Sequence, residues 1–133
     1  MSYKSVIENI YVHLADGDQK PIFDVLAPDA LWIESENLPN LPPGPIVGHE
    51  SIRKAVFEGA LAEHWAELRI NPVRIVEAGT TVLAEGRYVG TAKSGKKLDA
   101  IFAHIWDFDG DLIVRVQQYS DTWQFHRVLN VDT

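Results

Sequence analysis

The stretch Leu98-Asp99-Ala100-Ile101-Phe102-Ala103-His104-Ile105-Trp106-Asp107-Phe108 decides the fold. Its side chains alternate with a period of two, the repeat of a β-strand. Ala100, Phe102, His104, Trp106 and Phe108 fall on one face; Asp99, Ile101, Ala103, Ile105 and Asp107 fall on the other. Asp109-Gly110-Asp111 follows as a hairpin tip, and Leu112 to Ser120 reads as the returning strand. Toward the N-terminus, Lys93-Ser94-Gly95-Lys96 is a second tip and Val82 to Ala92 another long strand. Ala78-Gly79-Thr80 makes a turn, preceded by a strand from Ala66 to Glu77 that bends at Pro72. The result is a meander of long antiparallel strands.

Ahead of the meander the period changes. Val6, Ile7, Ile10, Tyr11 and Leu14 place one apolar stripe on a helix from Tyr3 to Ala15, with Ser2 as its cap and Asp16-Gly17-Asp18 as its stop. Pro21 to Leu26 reads as a short second helix, with proline near its first turn. Ala30 to Ser35 is a strand that carries Trp32 and Glu34. The following stretch, Glu36 to Gly48, holds Pro39, Pro42, Pro43 and Pro45, so too much of its backbone lacks a donor for helix or central strand. It reads as a rim or lid. Ile52, Ala55, Val56, Ala60 and Leu61 predict a helix over Ser51 to Trp65, which Gly59 interrupts at a cost of about 1 kcal/mol. Thr122 to Leu129 reads as a short closing helix.

Helices first and a strand meander after them is an α+β order, without the βαβ alternation of a nucleotide-binding sheet. It predicts a cone-shaped barrel: a curved, mostly antiparallel sheet with the N-terminal helices packed over its concave face. A pocket is expected where sheet and helices diverge.

Composition bounds the function. The 133 residues, 46% hydrophobic and 23% charged, predict one soluble globular domain spanning residues 1–133. A formal charge of −7 argues against nucleic acid as a partner, because phosphates need a basic face. The absence of cysteine removes disulfides, thiol nucleophiles and Cys-ligated metal sites together. No stretch approaches the ~18 apolar residues of a membrane span. The opening residues Met1-Ser2-Tyr3-Lys4 lead into no signal-peptide core. The expectation is a cytoplasmic protein with no membrane partner.

Most catalytic signatures are missing. There is no Gly-x-Gly-x-x-Gly, no phosphate loop around Ser94-Gly95-Lys96-Lys97, and no Gly-x-Ser-x-Gly elbow. His13, His49, His64, His104 and His126 are widely spaced, with no zinc-binding pair among them, so neither a metal nor a cofactor is expected. The informative residues are polar groups on apolar strands. His104 shares its face with aromatics, where burial is costly without a partner. Gln118 shares a face with Val114 and Val116 on the last strand. Glu34 ends the strand of Trp32, and a carboxylate desolvated there acquires a raised pKa suited to a general base. Each has a plainer reading: a satisfied core histidine, a hydrogen-bonded sheet residue, a solvated rim charge. Asp121-Thr122 reads most simply as an N-cap, and Trp123 and Phe125 as seals of the core or of a dimer contact.

The order Tyr11…Asp16-Gly17-Asp18, Leu26-Ala27-Pro28-Asp29-Ala30-Leu31-Trp32 and Gly48-His49-Glu50-Ser51-Ile52 resembles the SnoaL-like branch of the nuclear transport factor 2-like superfamily. So does the stretch Phe102-Ala103-His104-Ile105-Trp106…Asp109-Gly110-Asp111-Leu112-Ile113…Tyr119-Ser120-Asp121-Thr122. That group includes ketosteroid isomerase, limonene epoxide hydrolase and polyketide cyclases. The resemblance implies a cofactor-free α+β barrel, a small hydrophobic ligand and a homodimer packed through the sheet. Glu34 falls where ketosteroid isomerase has its proton-shuttling Asp, and His104 where it has a protonated Asp donating to the oxyanion. His104 also matches a pocket histidine of the SnoaL-type cyclases. The isomerase's oxyanion Tyr has no exact match, since Ile10 holds the aligned position and Tyr11 is one residue away. Gln118 replaces a catalytic Asp of cyclases and epoxide hydrolases. The hydrolase's additional Arg and Asp fall near Gly86 and Tyr88.

On this basis the first expectation is an isomerase- or cyclase-type enzyme that abstracts a proton α to the carbonyl of a hydrophobic ring compound. Glu34 takes the proton, and His104 and Gln118 steady the enolate oxygen. Trp32, Tyr88, Phe102, Trp106 and Val116 line the ligand site. The alternative is a non-catalytic binder of small hydrophobic molecules with the same pocket, and a more distant one is an interaction module that uses the open sheet.

Overall fold

The computed structural model describes residues 2–42 and 44–129. Helix α1 (Tyr3–Ala15) is capped by the Ser2 hydroxyl, which accepts from the Ser5 N–H, and its stripe buries Ile7, Ile10 and Tyr11. Helix α2 (Lys20–Val25) opens with Pro21 in its first turn. Strand β1 (Leu26–Ile33) begins at Leu26, earlier than Ala30. Its pairing is broken: Leu26 meets Ile113, and register resumes only at Leu31 opposite Arg115. Pro28 lies in the gap, where its missing N–H costs no ladder bond.

The stretch read as one loop from Glu36 to Gly48 contains a two-residue strand, β2 (Ile46–Val47), which pairs antiparallel with β1. Pro43 lies outside the described residues. The helix expected over Ser51–Trp65 differs more. It starts at His49 behind Gly48, whose φ of 85° favours glycine. It holds α geometry through α3 (His49–Ile52), then widens to a π-helical stretch over Arg53–Ala60. There Leu61 N–H reaches back to the Val56 carbonyl at 2.8 Å. The wider winding turns Val56 and Phe57 inward together, which a 3.6-residue repeat does not anticipate.

The meander follows as β3 (Trp65–Ala78), β4 (Thr81–Ala92), β5 (Lys97–Asp109) and β6 (Leu112–Ser120), closed by α4 (Thr122–Leu129). The bend at Pro72 is a bulge: Pro72 pairs with Gly86 and Arg74 with Glu85, leaving Val73 as the extra residue. Opposite it, Gly86 has no room for a side chain. A Cβ there would lie 2.2 Å from the Asn71 carbonyl oxygen and 2.8 Å from Phe102.

The strands form one six-stranded sheet in the order β2-β1-β6-β5-β4-β3, antiparallel except for the β1–β6 pair. The expected cone-shaped barrel is therefore corrected. The sheet is open, with β2 and β3 as its two edges, and is neither closed nor strongly curled. Closure would need those edges to bond, and the two-residue β2 offers almost nothing to bond with. Helices on one face supply the missing cover: α1 packs across β3 and β4. No described helix is long and apolar enough to cross a membrane.

Candidate functional site

Two buried apolar clusters meet over the middle of the sheet. One holds Tyr11, Trp32, Phe57 and Trp106; the other holds Trp65, Tyr88, Phe102 and Phe125. At their junction lies a cavity of about 50 Å³. Its walls come from α1 (Tyr11), the end of β1 (Trp32, Glu34), the π-helical stretch (Val56, Phe57), β4 (Tyr88), β5 (His104, Trp106), β6 (Val116, Gln118) and α4 (Phe125). Leu38, Pro39 and Asn40 of the proline-rich loop also line it.

Of the residues singled out in the sequence, Glu34, His104, Trp32, Tyr88, Trp106, Val116 and Gln118 face this one cavity. Phe102 does not. It lies behind the wall, stacked on His104 with ring centroids 4.1 Å apart and tilted by 40° against Tyr88 at 4.7 Å. The β-ladder explains the convergence, because His104 is opposite Ala84 on β4 and Gln118 on β6, while Trp106 is opposite Val116.

Glu34 is the chemically unusual group. Trp32 donates its indole N–H to Oε1 at 2.8 Å, and Oε2 is buried with no hydrogen-bond partner. Burial pushes the carboxyl up to about 7, against a smaller lowering by the Trp32 bond. The carboxyl is thus held well above the usual carboxylate range, with Oε2 buried and unbonded among the residues that line the cavity.

His104 has both ring nitrogens engaged. The Tyr11 hydroxyl is 2.6 Å from Nδ1 and the Tyr88 hydroxyl 2.6 Å from Nε2. Burial pushes the ring down to about 3, so it is neutral at ordinary pH. Burial likewise raises both phenols, keeping them protonated. Each phenol oxygen also accepts an N–H: Tyr11 from Trp106 at 3.1 Å and Tyr88 from Gln118 Nε2 at 2.8 Å. The Gln118 amide has a fixed direction. Ser35 N–H, which can only donate, points at Oε1 at 3.2 Å, and the hydroxyls of Ser35 and Ser120 close on the same oxygen.

Tyr11 is a further member of the site that the sequence reading did not place there. Tyr11, one residue from the aligned position, carries its hydroxyl to His104. The sequence shows Tyr11 only as one more apolar position on a helical stripe, and nothing local reveals a partner ninety-three residues away. Ser35 is a further member of the site that periodicity does not single out, and Phe125, read as a seal of the core, is buried in the second cluster and also lines the cavity. Trp123 is exposed and outside it. Among the described residues no cluster of three or more His, Asp or Glu is arranged to hold a metal.

Solved structures share this architecture. A nuclear transport factor 2-like protein of unknown function from Burkholderia pseudomallei superposes with a TM-score of 0.88 at 24% identity, covering 98% of this chain and 100% of its own. A nuclear transport factor 2-like protein from Burkholderia thailandensis gives 0.86 at 27% identity, covering 94% and 95%. A putative SnoaL-like polyketide cyclase from Jannaschia gives 0.80 at 11% identity, covering 100% and 98%. No curated protein matches the sequence. The model of the SnoaL-like domain matches residues 7–116, most of the chain. With that match and this fold, the chain belongs to the SnoaL-like branch of the nuclear transport factor 2-like superfamily.

Proposed function

We propose that the protein binds a small hydrophobic ring compound bearing a carbonyl and moves a proton at the carbon beside that carbonyl, without a cofactor. The observation that carries this reading is Glu34 itself, a buried carboxyl that burial pushes up to about 7 and whose Oε2 has no hydrogen-bond partner in the aromatic site. A base poised near neutrality removes a weakly acidic C–H more effectively than an ordinary carboxylate. The negative charge that develops on the carbonyl oxygen needs a donor, and a tyrosine hydroxyl braced by His104 supplies it. His104 acts through the phenols, since both its nitrogens are already engaged. Trp32, Trp106 and Val116 give the rings their apolar walls. The Jannaschia structure described as a putative SnoaL-like polyketide cyclase supports the ligand class only as an analogy of fold.

The test is deuterium wash-in. A panel of aromatic ketones such as the tetralones is incubated with the protein in D2O, and label beside the carbonyl is followed by mass spectrometry. Catalysed incorporation that Glu34→Gln abolishes supports the reading; no incorporation with any ketone that binds contradicts it. The clamped amide of Gln118 favours a second reading, a binder without turnover, because it holds a ligand but exchanges no proton. Thermal stabilisation by the same ketones without label uptake is its signature.

A homodimer through the sheet is part of the same proposal. The face away from the helices exposes Ile101 and Tyr119 beside Val89, a surface that a second copy would cover. Sedimentation as a dimer at micromolar concentration supports it, and a monomer contradicts it.

A further inference from the structure

The hydrogen bonds around His104 can be counted, and the count has one remainder. A neutral imidazole has one N–H and one bare nitrogen. Its two contacts are both to phenols, Tyr11 at Nδ1 and Tyr88 at Nε2, each at 2.6 Å. One phenol must therefore donate to the ring while the other accepts from it. Each phenol oxygen also accepts a second hydrogen bond from a group that is only a donor toward it. For Tyr11 that group is the Trp106 indole N–H, which has no acceptor capacity. For Tyr88 it is the Gln118 amide N–H, whose direction is held by the Ser35 and Ser120 contacts to Oε1. The phenol that donates to the ring has spent its proton. The phenol that accepts from the ring has not, and no described residue takes that proton.

We propose that His104 is a tautomeric selector: the ring nitrogen that carries the single proton decides whether Tyr11 or Tyr88 keeps a hydroxyl proton free for an oxygen of the bound molecule, so the cavity offers one phenolic donor at a time. With the proton on Nε2, Tyr11 donates to Nδ1 and Tyr88 is free. With the proton on Nδ1, Tyr88 donates to Nε2 and Tyr11 is free. The inference shares its pocket with the proposed function and takes from that reading only the nature of the ligand oxygen; the hydrogen-bond count stands in the ligand-free protein. It makes the site selective for a molecule that places one acceptor oxygen at this wall. A second acceptor beside the first, as in a carboxylate seated across both phenols, would leave one oxygen facing a phenol with no proton to give.

Removal of either phenol hydroxyl sets the tautomer. A buried N–H without a partner is rarer than a buried acceptor without one, so the ring keeps its proton on the side where a phenol remains. The measurement is the nitrogen-15 NMR spectrum of the His104 ring in labelled, ligand-free protein, which tells a protonated from a bare ring nitrogen. Tyr11→Phe is expected to give the Nε2–H form and Tyr88→Phe the Nδ1–H form, so the two variants show opposite tautomers. The unsubstituted protein is read in the same way and guards against a variant that fails to fold: its ring should show one proton shared between the two sites. The same tautomer in both variants, or an imidazolium with both nitrogens protonated in the unsubstituted protein, would overturn the proposal. Because no turnover is involved, failure of the proton-transfer reading would leave this result unaffected.

Discussion

Trp32 and Glu34, two residues apart at the end of β1, are joined by an indole N–H donated to Oε1 at 2.8 Å, and this bond leaves Oε2 of the same carboxyl buried without a partner. An aromatic donor thus satisfies half of a carboxyl and burial destabilises the charge on the rest. The pair makes the centre of the site both apolar and protonatable.

The stability of the protein should carry the signature of this pair. In the unfolded chain Glu34 ionises above about 4.5, but in the folded protein only above about 7. Within that window the native state holds a proton that the unfolded state has released, so stability falls as pH rises, by roughly 3 kcal/mol across it. His104 has the opposite sign. The unfolded chain takes up its proton below 6.5 and the native state only near 3, so stability falls as pH falls through that range. Between 4.5 and 6.5 the two slopes oppose each other. Glu34→Gln is expected to unmask the histidine slope of about 1.4 kcal/mol per pH unit. Urea unfolding of both proteins across this interval checks it; parallel curves would contradict the account.

Gln118→Leu keeps the approximate bulk but strands the Ser35 N–H and removes the amide donor from Tyr88. The expected cost is about 2–4 kcal/mol, since buried polar groups left without partners lose most of their solvation. Urea unfolding reads it directly. A loss under about 1 kcal/mol would mean that water replaces the amide without penalty.

Gly86→Ala tests the close approach of β3 and β4. The added Cβ meets the Asn71 carbonyl, which belongs to backbone and cannot swing away, and it presses on Phe102, which supports His104. Destabilisation of about 1–3 kcal/mol is expected, together with weaker binding of any ring ligand. Unchanged unfolding would show that the bulge at Pro72 yields.

Ligand entry should depend on the loop. A cavity of about 50 Å³ is well below the ~150 Å³ that admits benzene, so a ring compound enters only if a wall gives way. Leu38, Pro39 and Asn40 are such a wall, and Asn37 and Asn40 have positive φ. His126 Nε2–H pins the loop to α4 by donating to the Asn37 carbonyl at 2.6 Å. His126→Ala is expected to speed association of a ring-containing ligand, measured by stopped-flow tryptophan fluorescence. An unchanged rate would place the entrance elsewhere.

The alternation over Leu98–Phe108 was enough to assign the two faces of β5, and the five aromatic-face residues are all buried. Alternation says which side of a sheet a residue occupies, not whether the sheet closes. The expected barrel is therefore not something alternation can establish, and the open order from β2 to β3 corrects it. The π-helical stretch escaped for a related reason: a pattern judged against 3.6 residues per turn credits Ala55 and misses Phe57. At the site, Glu34, His104 and Gln118 were legible because polar residues stand out on apolar strands. Tyr11 and Ser35 were not, because a tyrosine on an apolar helix and a serine after a strand look ordinary until tertiary packing brings their hydroxyls to partners more than eighty residues away.

The central claim is that Glu34 gains and loses its proton near neutrality inside the cavity, and it can be tested without knowing the ligand. Carbon-13 NMR of the labelled glutamate carboxyls, with Glu34 assigned by its loss in Glu34→Gln, follows this group through a pH titration. The account expects a midpoint near 7. A midpoint in the ordinary carboxylate range, about 4, would contradict it and leave the pocket without its base.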